Sequence, residues 1–213
     1  MGLDMYVNIR HKDTQSKIDA YEAWENKYSY EEWQRLTEEQ REEWRNSEPE
    51  YEYDDMYGKE LMYWRKANQI HNWFVQNCQN GVDDCGRYAI TVADLMKLKE
   101  LCEKILAMTN VKQELRPTYP NGWLSEPEYV MQDVRFLTYE GMKFAEEHLP
   151  RRSGFFFGKT DYDEYYVLQV EDTVEQITDT LDTLNCEYGF ALNSDLVTGE
   201  YKGDYIIEYS ASW

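Results

Sequence analysis

Between Val170 and Leu184 the apolar residues Val170, Val174, Ile177, Leu181 and Leu184 recur every three or four positions, and the opposite side of the segment is acidic. That spacing returns to one side of an α-helix, so the segment predicts an amphipathic helix with a single face to bury. Such a face needs a second layer to pack against. The N-terminus supplies a candidate: Leu3, Met5, Val7 and Ile9 alternate with polar residues, the period of a strand with one buried face. The end of the chain, Glu187–Asn193 and Asp204–Tyr209, reads as a β-hairpin around Thr198-Gly199 and Lys202-Gly203. Helices separate these strands. The expected fold is therefore α+β, with helices packed on a small antiparallel sheet made by the N-terminal strand and the C-terminal hairpin.

The intervening segments follow the same logic. A short helix is expected over 16–27. Ser29-x-x-Glu32 and Thr37-x-x-Gln40 are capping-box patterns that open an acidic helical segment. Residues 28–57 read as an acidic helical insertion or an ordinary solvated hairpin, attached to a single domain of 213 residues. Residues 60–76 read as one helix, with Tyr63, Ala67, Ile70 and Phe74 on its buried stripe and Trp64, Asn68, His71 and Val75 beside it. A short strand is expected at 88–91. Thr91 and Thr138 cap two further helices. Residues 110–127 hold three of the five prolines and read as a long loop, and 151–166 as an irregular segment rich in glycine and aromatics.

The formal net charge is −20, which opposes binding to a nucleic-acid backbone. Residues 161–213 carry 13 acids and one base, residues 1–59 carry 16 acids and 8 bases, and residues 60–160 carry 13 of each. A negatively charged ligand is expected to use that neutral middle. No run reaches the length of a membrane span, and the first residues lack a signal-peptide pattern, so a cytoplasmic protein is expected. Cys78, Cys85, Cys102 and Cys186 then read as free thiols. A His71/Cys78/Cys85 metal site is a minor alternative, because the Cys78–Cys85 spacing is too long for a zinc knuckle. No cofactor is expected.

Three clusters carry candidate chemistry. In 63–74, Arg65 and Lys66 suit phosphate and Trp64 or Trp73 suit a base, while Asn68 and His71 mark a polar network or a pocket. The opposing reading is a satisfied core network with Arg65 and Lys66 in water. Residues 79–86 contain Asn80-Gly81 and Asp83-Asp84, read as a turn with capping acids and not an EF-hand loop. In 151–166, Gly154 and Gly158 bracket Phe155, Phe156 and Phe157, with Arg151, Arg152 and Lys159 alongside. This suits a phosphate-binding loop, or a buried strand with a connector.

Met1-Gly2-Leu3-Asp4-Met5-Tyr6, Trp64-Arg65-Lys66-Ala67-Asn68-x-Ile70-His71-x-Trp73-Phe74, Asn80-Gly81-x-Asp83-Asp84-Cys85 and Ser153-Gly154-Phe155-Phe156-Phe157-Gly158 together resemble a family of small proteins of tailed phages and prophages. The resemblance covers the start, the middle and the segment to about Leu184, but not 28–57 or the terminal hairpin. It implies a phage accessory protein, a class that often counters host defence. The leading expectation is a protein that binds and sequesters a small anionic nucleotide such as a host immune signal. Its expected ligand residues are Trp64, Arg65, Lys66, Asn68, His71, Trp73, Arg151, Arg152, Phe155, Phe156 and Phe157, with Arg65→Ala and His71→Ala abolishing capture. The alternatives are an acidic DNA mimic that occupies a host protein through Asp172, Glu175, Asp179 and Asp182, and a nucleotide-degrading enzyme using His71 with Asp83 or Asp84. The aromatic surplus leaves room for a homo-oligomer.

Overall fold

The structure, a computed structural model, describes residues 2–120, 122, 124, 126–190 and 201–213. It is an α+β fold. A four-stranded antiparallel sheet runs in the order β2 (Lys59–Arg65), β1 (Asp4–His11), β6 (Tyr205–Ser212) and β3 (Arg87–Ile90). The alternation read at the N-terminus is realised: Met5, Val7 and Ile9 are buried on one face, while Asp4, Tyr6 and Asn8 look the other way.

Three helices cover the buried face: α5 (Asn68–Asn77), α6 (Val92–Leu106) and α8 (Glu164–Tyr188). The stripe of α8 packs as its spacing requires, with Val170, Ile177 and Leu184 inside the core and Val174 and Leu181 at its margin. Thr91 caps α6 with a complete capping box, and Thr138 caps α7 (Tyr139–His148).

Three expectations are corrected. Residues 59–65 are strand, not the first turns of a helix. Lys66 adopts φ 58°, a left-handed conformation that ends β2 and turns the chain into α5. From Ala67 on, the helical stripe holds, but Tyr63 is left exposed on the outer sheet face. Second, residues 110–118, the first half of the expected 110–127 loop, are strand. β4 (Thr109–Thr118) pairs along its whole length with β5 (Glu128–Leu137) in a two-stranded ribbon. Pro117 sits near the end of that ribbon, where a missing N–H is tolerated. Third, the expected terminal hairpin contributes β6 to the sheet, but Glu187 and Tyr188 belong to the last turn of α8. The end of its other arm, 191–193, and Thr198-Gly199 lie outside the described residues.

Residues 12–58 form α1 (Gln15–Glu25), α2 (Tyr30–Arg35), α3 (Glu38–Asn46) and α4 (Tyr53–Tyr57). Both predicted capping boxes, Ser29/Glu32 and Thr37/Gln40, are formed. α1 and α4 anchor to the sheet: Ile18 and Met56 are buried, Lys17 pairs with Asp55 at 2.5 Å, and the Asn8 amide donates to the Tyr57 carbonyl at 2.8 Å. α2 and α3 attach to α1 through Trp24 and Trp44. Their rings stack at 4.1 Å with 6° between planes, and each indole N–H donates to the other's backbone carbonyl, at 2.9 and 3.0 Å. No helix among the described residues is long and apolar enough to cross a membrane.

Candidate functional site

The fold brings together two of the clusters singled out in the sequence, some 85 residues apart. The Lys66 N–H donates to the Leu3 carbonyl at 2.8 Å, and the Leu3 N–H to the Phe156 carbonyl at 3.2 Å. Asn68 is the hinge of the junction. Its amide donates to the Phe157 and Lys159 carbonyls at 3.0 and 2.9 Å, and its oxygen accepts from the Arg152 N–H at 3.4 Å. Arg151 Nη1 donates to Gln69 and Gln169 at 2.6 and 2.8 Å, and its guanidinium lies 5.0 Å from the Tyr166 ring centre.

Behind this junction a second chain of polar contacts crosses the core. His71 is fully buried. Its Nδ1 is 2.7 Å from the Tyr209 hydroxyl and its Nε2 3.1 Å from Asp83 Oδ1. Arg152 Nη2 holds the other Asp83 oxygen at 2.8 Å. Burial pushes the imidazole below its ordinary value of 6.5, with the Asp83 carboxylate opposing the shift. A neutral ring that donates from Nε2 to Asp83 and accepts the Tyr209 proton at Nδ1 satisfies every partner. The Tyr209 hydroxyl is itself pushed well above 10 by burial and then by Asp83.

These contacts reassign several residues. Trp64, Asn68, His71, Trp73 and Phe157 are buried. The Trp64 indole donates to Thr173 Oγ1 at 3.0 Å inside the core. A base cannot stack on Trp64 or Trp73 here, and a His71 substitution tests the fold before it tests a ligand contact. Both imidazole nitrogens are engaged and the ring has no exposed surface, so it offers no base to a substrate. Asp84 is also in use, accepting from the Gly86 N–H and the Tyr88 hydroxyl, each at 2.9 Å. His71, Cys78 and Cys85 do not form a metal cluster. Among the described residues no three metal-binding side chains converge, and burial pushes the Cys78 thiol up to about 12.

The remaining expected residues form a rim at the surface. Arg65, Lys66 and Phe155 are exposed; Arg151, Arg152 and Phe156 are half-buried. Arg65 Nε is 3.8 Å from Asp4. Lys66 and Lys159 have no carboxylate within 4 Å among the described residues. Gly158, at φ 89°, lets the loop lie against Lys66: a Cβ there would sit 3.2 Å from Lys66 Cβ.

The rim continues onto the outer face of the sheet. Tyr63 donates to Asp4 at 2.5 Å and packs on Tyr6 with centroids 5.2 Å apart. Tyr6 in turn lines a cleft of about 900 Å³ between the sheet and α4, with Tyr53, Tyr57, Asn8, Arg87 and Ser210. The Arg87 guanidinium lies 5.0 Å over the Tyr57 ring and donates to the Met56 carbonyl. Asn8 Oδ1 is buried and has no hydrogen-bond partner among the described residues. None of the residues singled out as ligand-binding in the sequence lines this cleft. Only a strand reading of 59–65 would have placed Tyr63 and Arg65 on the same face as Tyr6. Comparison with protein-family models, with curated proteins and with solved structures finds no match.

Proposed function

We propose that this protein binds and sequesters a small anionic nucleotide on the outer face of its sheet. The observation that carries the reading is the cleft: a concave site of about 900 Å³ walled by three tyrosines, with Asn8 and Arg87 in its lining. Its volume lies within the roughly 300–1,000 Å³ of ordinary ligand pockets. The tyrosines take the base. The phosphates run along β1 toward Arg65 and Lys66. Asn8 and Asp4, the latter paired with Arg65, are four residues apart on that strand, or about 13 Å. The buried His71 network is then scaffold that fixes the β2–α5 corner. In the setting that the phage resemblance implies, such a protein works in the host cytoplasm and removes an immune signal by mass action.

The test is calorimetry and thermal shift against cyclic dinucleotides, ADP-ribose derivatives and mononucleotides, with recovery of the ligand after heating. One class should raise the melting temperature and return unaltered. Arg65→Ala and Tyr57→Ala should each weaken binding about tenfold, on the scale of one charge-assisted or stacking contact. A flat screen sinks the reading, and an altered ligand makes the protein an enzyme.

One observation favours the acidic decoy as a second reading. Asp172, Glu175, Asp179 and Asp182 are all exposed along one side of α8. A basic host protein retained at low salt and released at high salt, and lost when these four are neutralised, would support it.

A further inference from the structure

The insertion holds a second cavity, of about 190 Å³, lined by Glu25, Tyr28, Tyr30, Trp33 and Trp44. Four of these five residues are aromatic and the fifth is a carboxylate. Trp33 and Trp44 meet at 4.9 Å with 69° between their planes, so they form two walls of a corner. Trp44 is fixed from behind by its stack on Trp24 and the paired indole hydrogen bonds. Trp33 is fixed by its helix, whose capping box is complete, and by Arg41. The Arg41 guanidinium lies 5.5 Å over the Trp33 ring and donates to the Trp33 and Gln34 carbonyls. Arg41 does not line the cavity. Tyr30 stands at the mouth, 76% exposed. Glu25 has no cationic partner within 4 Å among the described residues.

We propose that this corner is an aromatic cage for a quaternary ammonium group. Ring faces carry negative potential and attract a cation that water hydrates weakly, and a methylated ammonium has that character. A neutral apolar group would gain nothing from Glu25, and an anion would be repelled by it. The volume is below that of a drug-sized site, so the cavity takes a headgroup, not a whole cofactor. The headgroup has two sources, a free choline-type molecule or a trimethylated lysine side chain. The cage does not depend on the nucleotide reading. It lies within the α1–α3 helices, and its lining shares no residue with the cleft on the sheet.

Titration of the full chain with tetramethylammonium, followed by tryptophan fluorescence, tests the cage. Choline and its uncharged carbon isostere, 3,3-dimethylbutanol, are run beside it. Saturable quenching by tetramethylammonium and choline, and none by the isostere, is expected. Tyr30→Ala and Glu25→Gln change exposed side chains and leave the fold intact. Each should weaken choline by about two- to thirtyfold, the span of one cation–π or ion contact. A trimethyllysine peptide that binds more tightly than choline, with its unmodified form silent, identifies the protein-borne source; the reverse order identifies the free one. Equal response to choline and the isostere, or unchanged binding in both variants, overturns the proposal.

Discussion

His71 illustrates how a residue that looks functional can be structural. Its Tyr209 and Asp83 contacts are made in a ring with no exposed surface. Removing the ring leaves a buried hydroxyl and a carboxylate without that partner. His71→Ala should therefore cost about 2–4 kcal/mol, seen as a lower urea midpoint at unchanged m. The pH dependence follows from the depressed imidazole. The unfolded side chain takes up a proton near its ordinary 6.5, whereas the folded ring resists it. Stability contributed by the neutral ring is complete above 6.5. It falls as pH drops through 6.5 and levels off once the folded ring also charges. His71→Gln should flatten that acid slope relative to the parent, and an unchanged slope would place the acid sensitivity elsewhere. The sequence already posed the two readings of Asn68 and His71, because buried polar groups demand partners. It could not choose between them, since Tyr209 and Asn68's carbonyl partners lie 138 and about 90 residues away.

At the scale of elements, legibility tracked how local the determining forces were. Capping boxes at Ser29, Thr37 and Thr91 are satisfied within four residues, and each marks a helix start. The α8 stripe and the β1 alternation were equally plain, because each repeats its own period. β2 reads as helix in the sequence because Tyr63, Ala67, Ile70 and Phe74 happen to fit a helical stripe. Pairing with β1 overrides that pattern, and the left-handed Lys66 ends it. β4 and β5 carry no strand signal in the sequence because a ribbon with two largely exposed faces shows no clean alternation. The turn from α4 into β2 rests on Gly58 at φ 72°, where a Cβ would sit 2.5 Å from the Ile9 carbonyl oxygen. Both the backbone conformation and the clash oppose any side chain. Gly58→Ala should cost about 2 kcal/mol or more in chemical denaturation. A neutral result would mean that α4 is not held against β1 as described, and the cleft floor would have to be redrawn.

For the whole molecule the dominant fact is charge. Legible from the sequence were its sign and its uneven distribution; its consequence for function depends on where the acids fall. Several are spent on pairs: Glu164 with Arg116, Glu171 with Arg135, Glu187 with Lys59. Asp172, Glu175, Asp179 and Asp182 have no cationic partner within 4 Å among the described residues, and they repel one another along α8. Neutralising them to Asn or Gln removes four negative charges, from −20 to −16. Their mutual repulsion should then no longer oppose folding. The variant should melt about 2–4 °C higher at low ionic strength, as a gain near 1 kcal/mol gives in a chain of this size. The gap should close in high salt, where the Debye length falls to about 3 Å. The same variant separates the functional readings. Neutralisation reduces the long-range repulsion of an anionic ligand, so nucleotide affinity should hold or rise, whereas a decoy would lose its host partner. A nucleotide affinity that falls with the four acids gone would mean that α8 contributes to the ligand site, and the outer sheet face would no longer account for binding.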